Sequence, residues 1–170
     1  RVTPRTKAII PTHYAGLACD MDGLYAFAKT HNLRVIEDAA LAVGSSWKGA
    51  PIGAFGDIAL FSFHPNKNIT TIEGGALVCN DLSHAKRVEV LRFHGISRLP
   101  DQTRDVDFPG GKFNMTDVSA AIGRAQLRKL DAFCLRRRDL ARHYLNRLPS
   151  FLANDLLPHA GHVGDEDGHS

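Results

Sequence analysis

The sequence predicts an α/β fold, and three observations predict it. Four short apolar runs bounded by turn residues read as strands, and a helix-spaced segment separates the first two. The third and fourth runs are nearly continuous in apolar character, as expected of a sheet covered on both faces. The second half of the chain then changes to long helical spacing.

Lys7-Ala8-Ile9-Ile10, stopped by Pro11, is the first strand, and Arg34-Val35-Ile36-Glu37, stopped by Asp38-Ala39-Ala40, is the second. Between them Asp20 or Asp22 can cap a helix whose Leu24, Phe27 and Ala28 fall at i, i+3 and i+4 and turn toward the sheet. Residues 58–63 (IALFSF) and 76–79 (ALVC) are the third and fourth strands. Helical spacing covers residues 82–93, 116–130 and 131–148. In the middle segment Val118, Ala121, Ile122 and Ala125 form the apolar stripe behind a cap at Asn114 or Thr116. In the last, Leu140, Ala141, Tyr144, Leu145 and Leu148 form it, with Arg136 to Arg138 on the wet side. Residues 98–112, polar and rich in Asp, Pro and Gly, read as a loop long enough to be functional. Beyond Pro158 the tail has too few apolar residues to pack.

Composition removes several classes of function. With 170 residues, 44% hydrophobic and 23% charged, the chain is globular in character and long enough to bury a core without disulfides or metals. No apolar run approaches the length that spans a bilayer, which argues against a membrane partner. The excess of Lys and Arg over Asp and Glu is only three, and the basic residues are spread thinly outside Arg136 to Arg138, unlike a nucleic-acid footprint. Cys19, Cys79 and Cys134 are odd in number and lack C-x-x-C spacing, so a reducing, cytoplasmic setting is expected rather than a disulfide framework or zinc site. The start at Arg1 and the polar end Gly-Asp-Glu-Asp-Gly-His-Ser suggest a piece of something longer.

Ligands of α/β sheets bind off the carboxyl ends of the strands. Asp38 follows the second strand, and Lys67 follows the third within Ser62-Phe63-His64-Pro65-Asn66-Lys67-Asn68. An amine and a carboxylate at one sheet edge suit a pyridoxal phosphate site, where the lysine forms a Schiff base and the acid keeps the ring nitrogen protonated. A solvated lysine and a capping aspartate are the plainer alternatives, and spacing alone leaves both open. Ser62 and His64 read either as satisfied groups at a buried strand end or as phosphate contacts, and Gly74-Gly75 as a turn. The phosphate-loop, dinucleotide, nucleophile-elbow and zincin motifs are absent. The histidines His159, His162 and His169 read as solvated, and no metal site is expected.

Several segments together resemble one known family. They are Thr3-Pro4-Arg5-Thr6-Lys7-Ala8-Ile9-Ile10-Pro11, His13-Tyr14-Ala15-Gly16, Glu37-Asp38-Ala39-Ala40, Gly53-Ala54-Phe55-Gly56-Asp57 and Ser62-Phe63-His64. Lys67-Asn68, Glu73-Gly74-Gly75, Arg92-Phe93-His94-Gly95 and Lys112-Phe113-Asn114-Met115-Thr116-Asp117 continue the series, and the likeness extends to about Leu148. In these the chain resembles the DegT/DnrJ/EryC1/StrS sugar aminotransferases, which have the type I (aspartate aminotransferase) fold of pyridoxal 5'-phosphate enzymes. The nearest in look make 4-amino sugars of the UDP-4-amino-4-deoxy-L-arabinose type for the cell envelope.

The resemblance implies that Lys67 forms the Schiff base, Asp38 pairs with the pyridine nitrogen, and Ser62 binds the phosphate. It also implies a homodimer in which Asn114 reaches the phosphate in the other subunit's site. The implied substrates are a keto nucleotide sugar and an amino donor, expected to be glutamate. His64, Asn68, Glu73 and Gly74 match the signature as support, and a lysine rather than a histidine at position 67 favours transamination over a dehydratase relative. Where relatives commonly carry Gln or His, this chain has Leu41, which cannot hydrogen-bond beside the cofactor's ring oxygen.

The implied layout is residues 1–130 as part of a large domain with a mixed, mainly parallel sheet. Residues 131–157 would lead into a truncated carboxyl-terminal domain, and 158–170 would be a flexible tail. A Gly-Thr or Gly-Ser phosphate turn and a ring-stacking aromatic would precede Arg1. A non-catalytic fragment is the alternative reading.

Overall fold

A computed structural model of the chain describes residues 2–98, 100–101 and 103–148. The tail expected over 158–170 and its three histidines lie outside the described residues. The main sheet has four strands in the order β1 (Ala8–Ile9), β2 (Arg34–Asp38), β5 (Ile58–Ser62) and β6 (Gly75–Cys79). β1 runs parallel to β2 and β2 parallel to β5, whereas β6 returns antiparallel to β5. Helix α1 (Met21–Thr30) makes the crossover between β1 and β2, the strand–helix–strand unit that parallel pairing demands. The expected α/β fold with a mixed, mainly parallel sheet is what the chain adopts.

Register decides which side chains share a face. Asp38 stands opposite Leu60, Leu60 opposite Leu77, and Ser62 opposite Gly75. Successive side chains alternate, so Ile36, Asp38, Leu60 and Ser62 belong to one face, and Val35, Glu37, Ala59 and Phe61 to the other. The second face carries the core: Ala18, Ala39, Ala42 and Ile52 are buried, with Trp47, Phe55 and Phe61 packed against them. Two short strands not anticipated, β3 (Ser46–Trp47) and β4 (Ala50–Pro51), form a hairpin over this core. Its turn, Lys48-Gly49, has positive φ at both residues (48° and 79°), which suits the twist of a tight hairpin but is poorly signalled by a lysine.

Of the two caps considered for α1, Asp20 is the one used, accepting from the Gly23 N–H at 3.1 Å. The buried face differs from the expected stripe. Met21 and Ala28 are buried and Tyr25 half-buried, at i, i+7 and i+4, whereas Phe27 is 42% exposed and stacks on His31. A ten-residue helix offered two overlapping stripes, and the polar end of Tyr25 finds a partner inside.

Helix α2 (Leu82–Leu91) is capped by Asp81, whose side chain accepts from the Ser83 and His84 N–H groups. Those bonds, led by the Ser83 hydroxyl, hold the Asp81 carboxyl at a pKa of about 2. The segment 98–112, expected as a loop, instead contributes β8 (Arg104–Val106), which pairs antiparallel with β7 (Ile96–Arg98). All three residues of β8 are exposed, so no apolar alternation marked it in the sequence.

Thr116, not Asn114, caps α3 (Asp117–Leu127) by accepting from the Ser119 N–H at 3.2 Å. Its expected stripe is only partly inward. Val118 is 70% exposed and Ala121 exposed, while Ala120, Ile122 and Gly123 turn inward, and a Cβ on Gly123 would lie 2.7 Å from Thr71 Cγ2. In α4 (Leu130–Leu145), Ala141 and Leu145 turn inward as expected but Leu140 and Tyr144 do not, and the buried residue is Cys134. Cys134 lies over Gly44, where φ is +90° and an added Cβ would meet the sulfur at 2.8 Å. Arg137, expected on the wet side, hydrogen-bonds Asn68 Oδ1. The first half of α4 therefore rests on both loops that follow β2 and β5.

Arg34 and Asp57 form a bidentate pair tying the starts of β2 and β5 together, and the guanidinium holds the Asp57 carboxyl below the usual carboxylate range. A depressed folded pKa gives stability that is present above the unfolded value and lost as pH falls through the folded one. Asp57→Asn is therefore expected to destabilise the chain by about 1 kcal/mol at neutral pH. The gap should close as pH falls through and below the usual carboxylate range. Thermal midpoints of both chains across that range measure it.

Candidate active site

β2 and β5 are parallel neighbours, so their carboxyl ends open at the same sheet edge, and each delivers a polar residue there. Asp38 is the last residue of β2, and hydrogen bonds on both sides hold its peptide. Its N–H donates to the Pro11 carbonyl at 2.8 Å and its carbonyl accepts from the His13 N–H at 3.0 Å. One carboxylate oxygen, Oδ1, accepts from the Ala40 N–H at 3.1 Å in an Asx turn that no helix follows, so Asp38 caps a turn rather than a helix. The other has no partner among the described residues and remains able to accept.

Ser62 closes β5 on the same face, two residues beyond the one opposite Asp38. Its hydroxyl accepts only a long contact, 3.4 Å, from the His64 N–H. The chain then leaves the sheet in a loop pinched at its base, where Phe63 N–H donates to the Gly74 carbonyl at 2.9 Å and Thr71 N–H to the Phe63 carbonyl at 3.0 Å. Within it, His64-Pro65-Asn66-Lys67 is a tight turn closed by Lys67 N–H to the His64 carbonyl at 3.0 Å. Lys67 is half-buried, and its ammonium has no hydrogen-bond or ion-pair partner among the described residues.

The residues expected as support make the following contacts. Asn68 Nδ2 donates to the Val43 carbonyl at 2.9 Å and its Oδ1 accepts from Arg137, which ties the Lys67 loop to the segment after Asp38 and to α4. His64 bonds Asn66 Oδ1 through Nδ1 at 2.7 Å, and its Nε2 lies 4.0 Å from Glu73. Gly74, at φ +149°, supplies the carbonyl that pins Phe63. Beside it Gly75 is opposite Ser62, and a Cβ there would stand 2.6 Å from the Phe61 carbonyl oxygen, so only glycine lets β6 approach at this point.

Asn114 is placed differently. It lines a cavity of about 980 Å³ shared with Leu60, Leu77, Leu91 and Phe113, and a more polar one of about 730 Å³ shared with Lys86, Arg92 and Arg104. Neither is lined by Asp38, Ser62 or Lys67. Among the described residues the buried Asn114 Oδ1 has no hydrogen-bond partner, a state usually relieved by a ligand, water or another chain. Leu41 is 37% exposed in the turn after Asp38 and offers no polar atom.

One residue of the Glu37-Asp38-Ala39-Ala40 segment has a place that the motif did not assign. Glu37, just before Asp38, is fully buried and bonded to His13 and Tyr25. The signal was present in the run Val-Ile-Glu-Asp: a charged residue inside an otherwise apolar strand needs a buried partner.

An open carboxylate oxygen and a weakly engaged hydroxyl thus share one face at the ends of neighbouring strands, and a primary amine lies on the loop that follows the second. Such a set can accept from a protonated ring nitrogen, donate to an anionic oxygen and add to a carbonyl carbon.

Comparison with known proteins identifies the family. The model of the DegT/DnrJ/EryC1/StrS aminotransferase family matches residues 1–165. Among solved structures, Helicobacter pylori PseC, an aminotransferase involved in pseudoaminic acid biosynthesis, superposes with a TM-score of 0.79 at 32% identity, over 86% of this chain and 39% of its own. S. venezuelae DesV does so with a TM-score of 0.80 at 39% identity, over 87% of this chain and 40% of its own. The putative sugar aminotransferase Spr1654 of Streptococcus pneumoniae, solved in PMP and PLP forms, is 31% identical in the first, with a TM-score of 0.75 over 85% of this chain and 43% of its own. The chain spans about two fifths of the length of these neighbours. The chain belongs to the DegT/DnrJ/EryC1/StrS aminotransferase family.

Proposed function

We propose that the protein takes part in pyridoxal-phosphate-dependent transamination of a keto nucleotide sugar, with glutamate as amino donor. The observation that carries the reading is the pairing of Asp38 and Ser62 on one face of parallel neighbouring strands, with the free amine of Lys67 on the loop that follows. The chemistry of these residues fits the cofactor: the open Asp38 Oδ2 could accept from a ring N–H, the Ser62 hydroxyl could donate to a phosphate oxygen, and the Lys67 amine could add to the carbonyl. When bound, pyridoxal phosphate supplies a carbonyl that takes up amines and a protonated ring that draws off the electron pair left at the donor's alpha carbon.

The side chains do the rest. Lys67 would hold the cofactor through its amine and, once the donor amine has taken its place, would accept the alpha proton as base and return it as acid. Asp38 would accept from the ring N–H and so hold that proton in place. Asn114 of a second copy would donate to the phosphate through its Nδ2 N–H groups, which makes the working unit a homodimer. The donor leaves before the sugar enters, so kinetics should be ping-pong. The products suit envelope polysaccharide or lipopolysaccharide synthesis in the cytoplasm. In this layout residues 1–130 carry the cofactor and α4 leads into a smaller domain.

Leu41 favours a second reading, a family member that does not itself transaminate, because it offers no hydrogen bond beside the cofactor. One experiment separates them. Pyridoxal phosphate is added to the purified chain, the visible band is followed, and borohydride reduction is mapped by peptide mass. A band fixed on Lys67 supports the first reading, and no band, or a label elsewhere, overturns it.

A further inference from the structure

A closed set of polar side chains lies behind Asp38, on the opposite face of the sheet, and the proposed chemistry does not use it. His13 and Glu37 are both 0% exposed. The Cys19 N–H donates to His13 Nδ1 at 3.1 Å, so that nitrogen carries no proton. The ring proton is then on Nε2, which donates to Glu37 Oε2 at 3.2 Å. The Tyr25 hydroxyl donates to Glu37 Oε1 at 2.7 Å and accepts from the Asp57 N–H at 3.2 Å. Burial first, and then the hydrogen bond to Glu37, push the Tyr25 pKa up, so the hydroxyl keeps its proton. Each oxygen of Glu37 has one donor of fixed direction, which is the condition for leaving a carboxylate out of water.

The set is coupled to Asp38 through the main chain. The Asp38 peptide is clasped between the Pro11 carbonyl and the His13 N–H. His13 is in turn hooked by its side chain to Glu37, the residue before Asp38 on the same strand. Strand alternation turns Glu37 inward to the hook and leaves Asp38 on the other face. Tyr25 extends the hook to the start of β5 through Asp57. An apolar trio of equal volume would pack this core without fixing any direction.

We propose that His13, Glu37 and Tyr25 are positioning residues that hold the Asp38 carboxylate where it can keep a cofactor ring nitrogen protonated. The inference rests on the role given to Asp38 above. Its test has one arm without cofactor and one with it. Three variants are compared: His13→Leu, which can neither donate nor accept; His13→Gln, which can do both; and Tyr25→Phe, which removes one hydroxyl at nearly constant volume.

In the cofactor-free chain, amide hydrogen exchange at Asp38 is expected to rise about tenfold or more in His13→Leu and Tyr25→Phe relative to amides of β6, and to return most of the way in His13→Gln. With pyridoxal phosphate bound, the pH midpoint of its visible band should move in the same two variants and be restored in His13→Gln. Exchange at Asp38 that rises no more than in β6, or a His13→Gln chain no better than His13→Leu, overturns the brace. A local rise in exchange with an unmoved midpoint overturns the link to the ring nitrogen. If exchange responds but the wild-type chain takes up no pyridoxal phosphate, the brace stands and the cofactor reading falls.

Discussion

Replacing Lys67 by Ala is expected to lower turnover by at least about 10⁴-fold and to remove the borohydride-fixed label in the same step. Both losses follow from one group, because the amine that adds to the cofactor carbonyl is also the base that takes the donor's alpha proton. Lys67→Arg sharpens the test. It keeps the positive charge but supplies no nucleophile and no base near neutral pH, so it should be as inactive as Lys67→Ala. If Lys67 served only to attract phosphate, the arginine variant would retain most of the activity. Folding should be indifferent, since the Lys67 ammonium has no partner among the described residues, and its loss should change stability by less than about 0.5 kcal/mol. Steady-state rates for the three chains, with a melting curve for each, decide the matter.

Asp38→Asn should cost about 10²- to 10⁴-fold in turnover while leaving the fold nearly untouched. The amide keeps the shape and can still accept from the Ala40 N–H through Oδ1, so stability should fall by no more than about 1 kcal/mol. Its second group, however, is an N–H pair in place of an open carboxylate oxygen. Two donors then face each other across the ring nitrogen, and the ring loses its proton and with it the capacity to draw off charge. The expected signature is a bound cofactor, still fixed to Lys67 by borohydride, with slow chemistry. A variant that no longer binds the cofactor, or that turns over normally, would remove Asp38 from the role.

Much of this was legible beforehand because the signals are local. Continuous apolar runs bounded by turn residues marked β2, β5 and β6 within one or two residues, and Asp20 and Thr116 were among the candidate caps. Helix faces were read less well. Spacing tells which residues share a side, yet α1, α3 and α4 each offered more than one stripe, and contact with the rest of the chain chose among them. Phe27, Val118, Ala121, Leu140 and Tyr144 therefore stand in solvent while Tyr25, Gly123 and Cys134 turn inward. The β7–β8 hairpin was missed because its outer strand buries nothing and so shows no alternation.

The sequence by itself determined the strand ends that could carry Asp38, Ser62 and Lys67, and the family whose motifs they match. Only the tertiary structure decided that Asp38 and Ser62 share a face, that Asn114 lines cavities apart from them, and that Glu37 closes on His13 and Tyr25 behind Asp38. The physical reason is that the two-residue period of a strand sets the relative sides of its own side chains and nothing more. Which strand lies beside it, in what register, and which distant donor reaches a buried carboxylate depend on backbone hydrogen bonds and packing between segments far apart in the chain, from His13 to Glu37 and from Asn68 to Arg137.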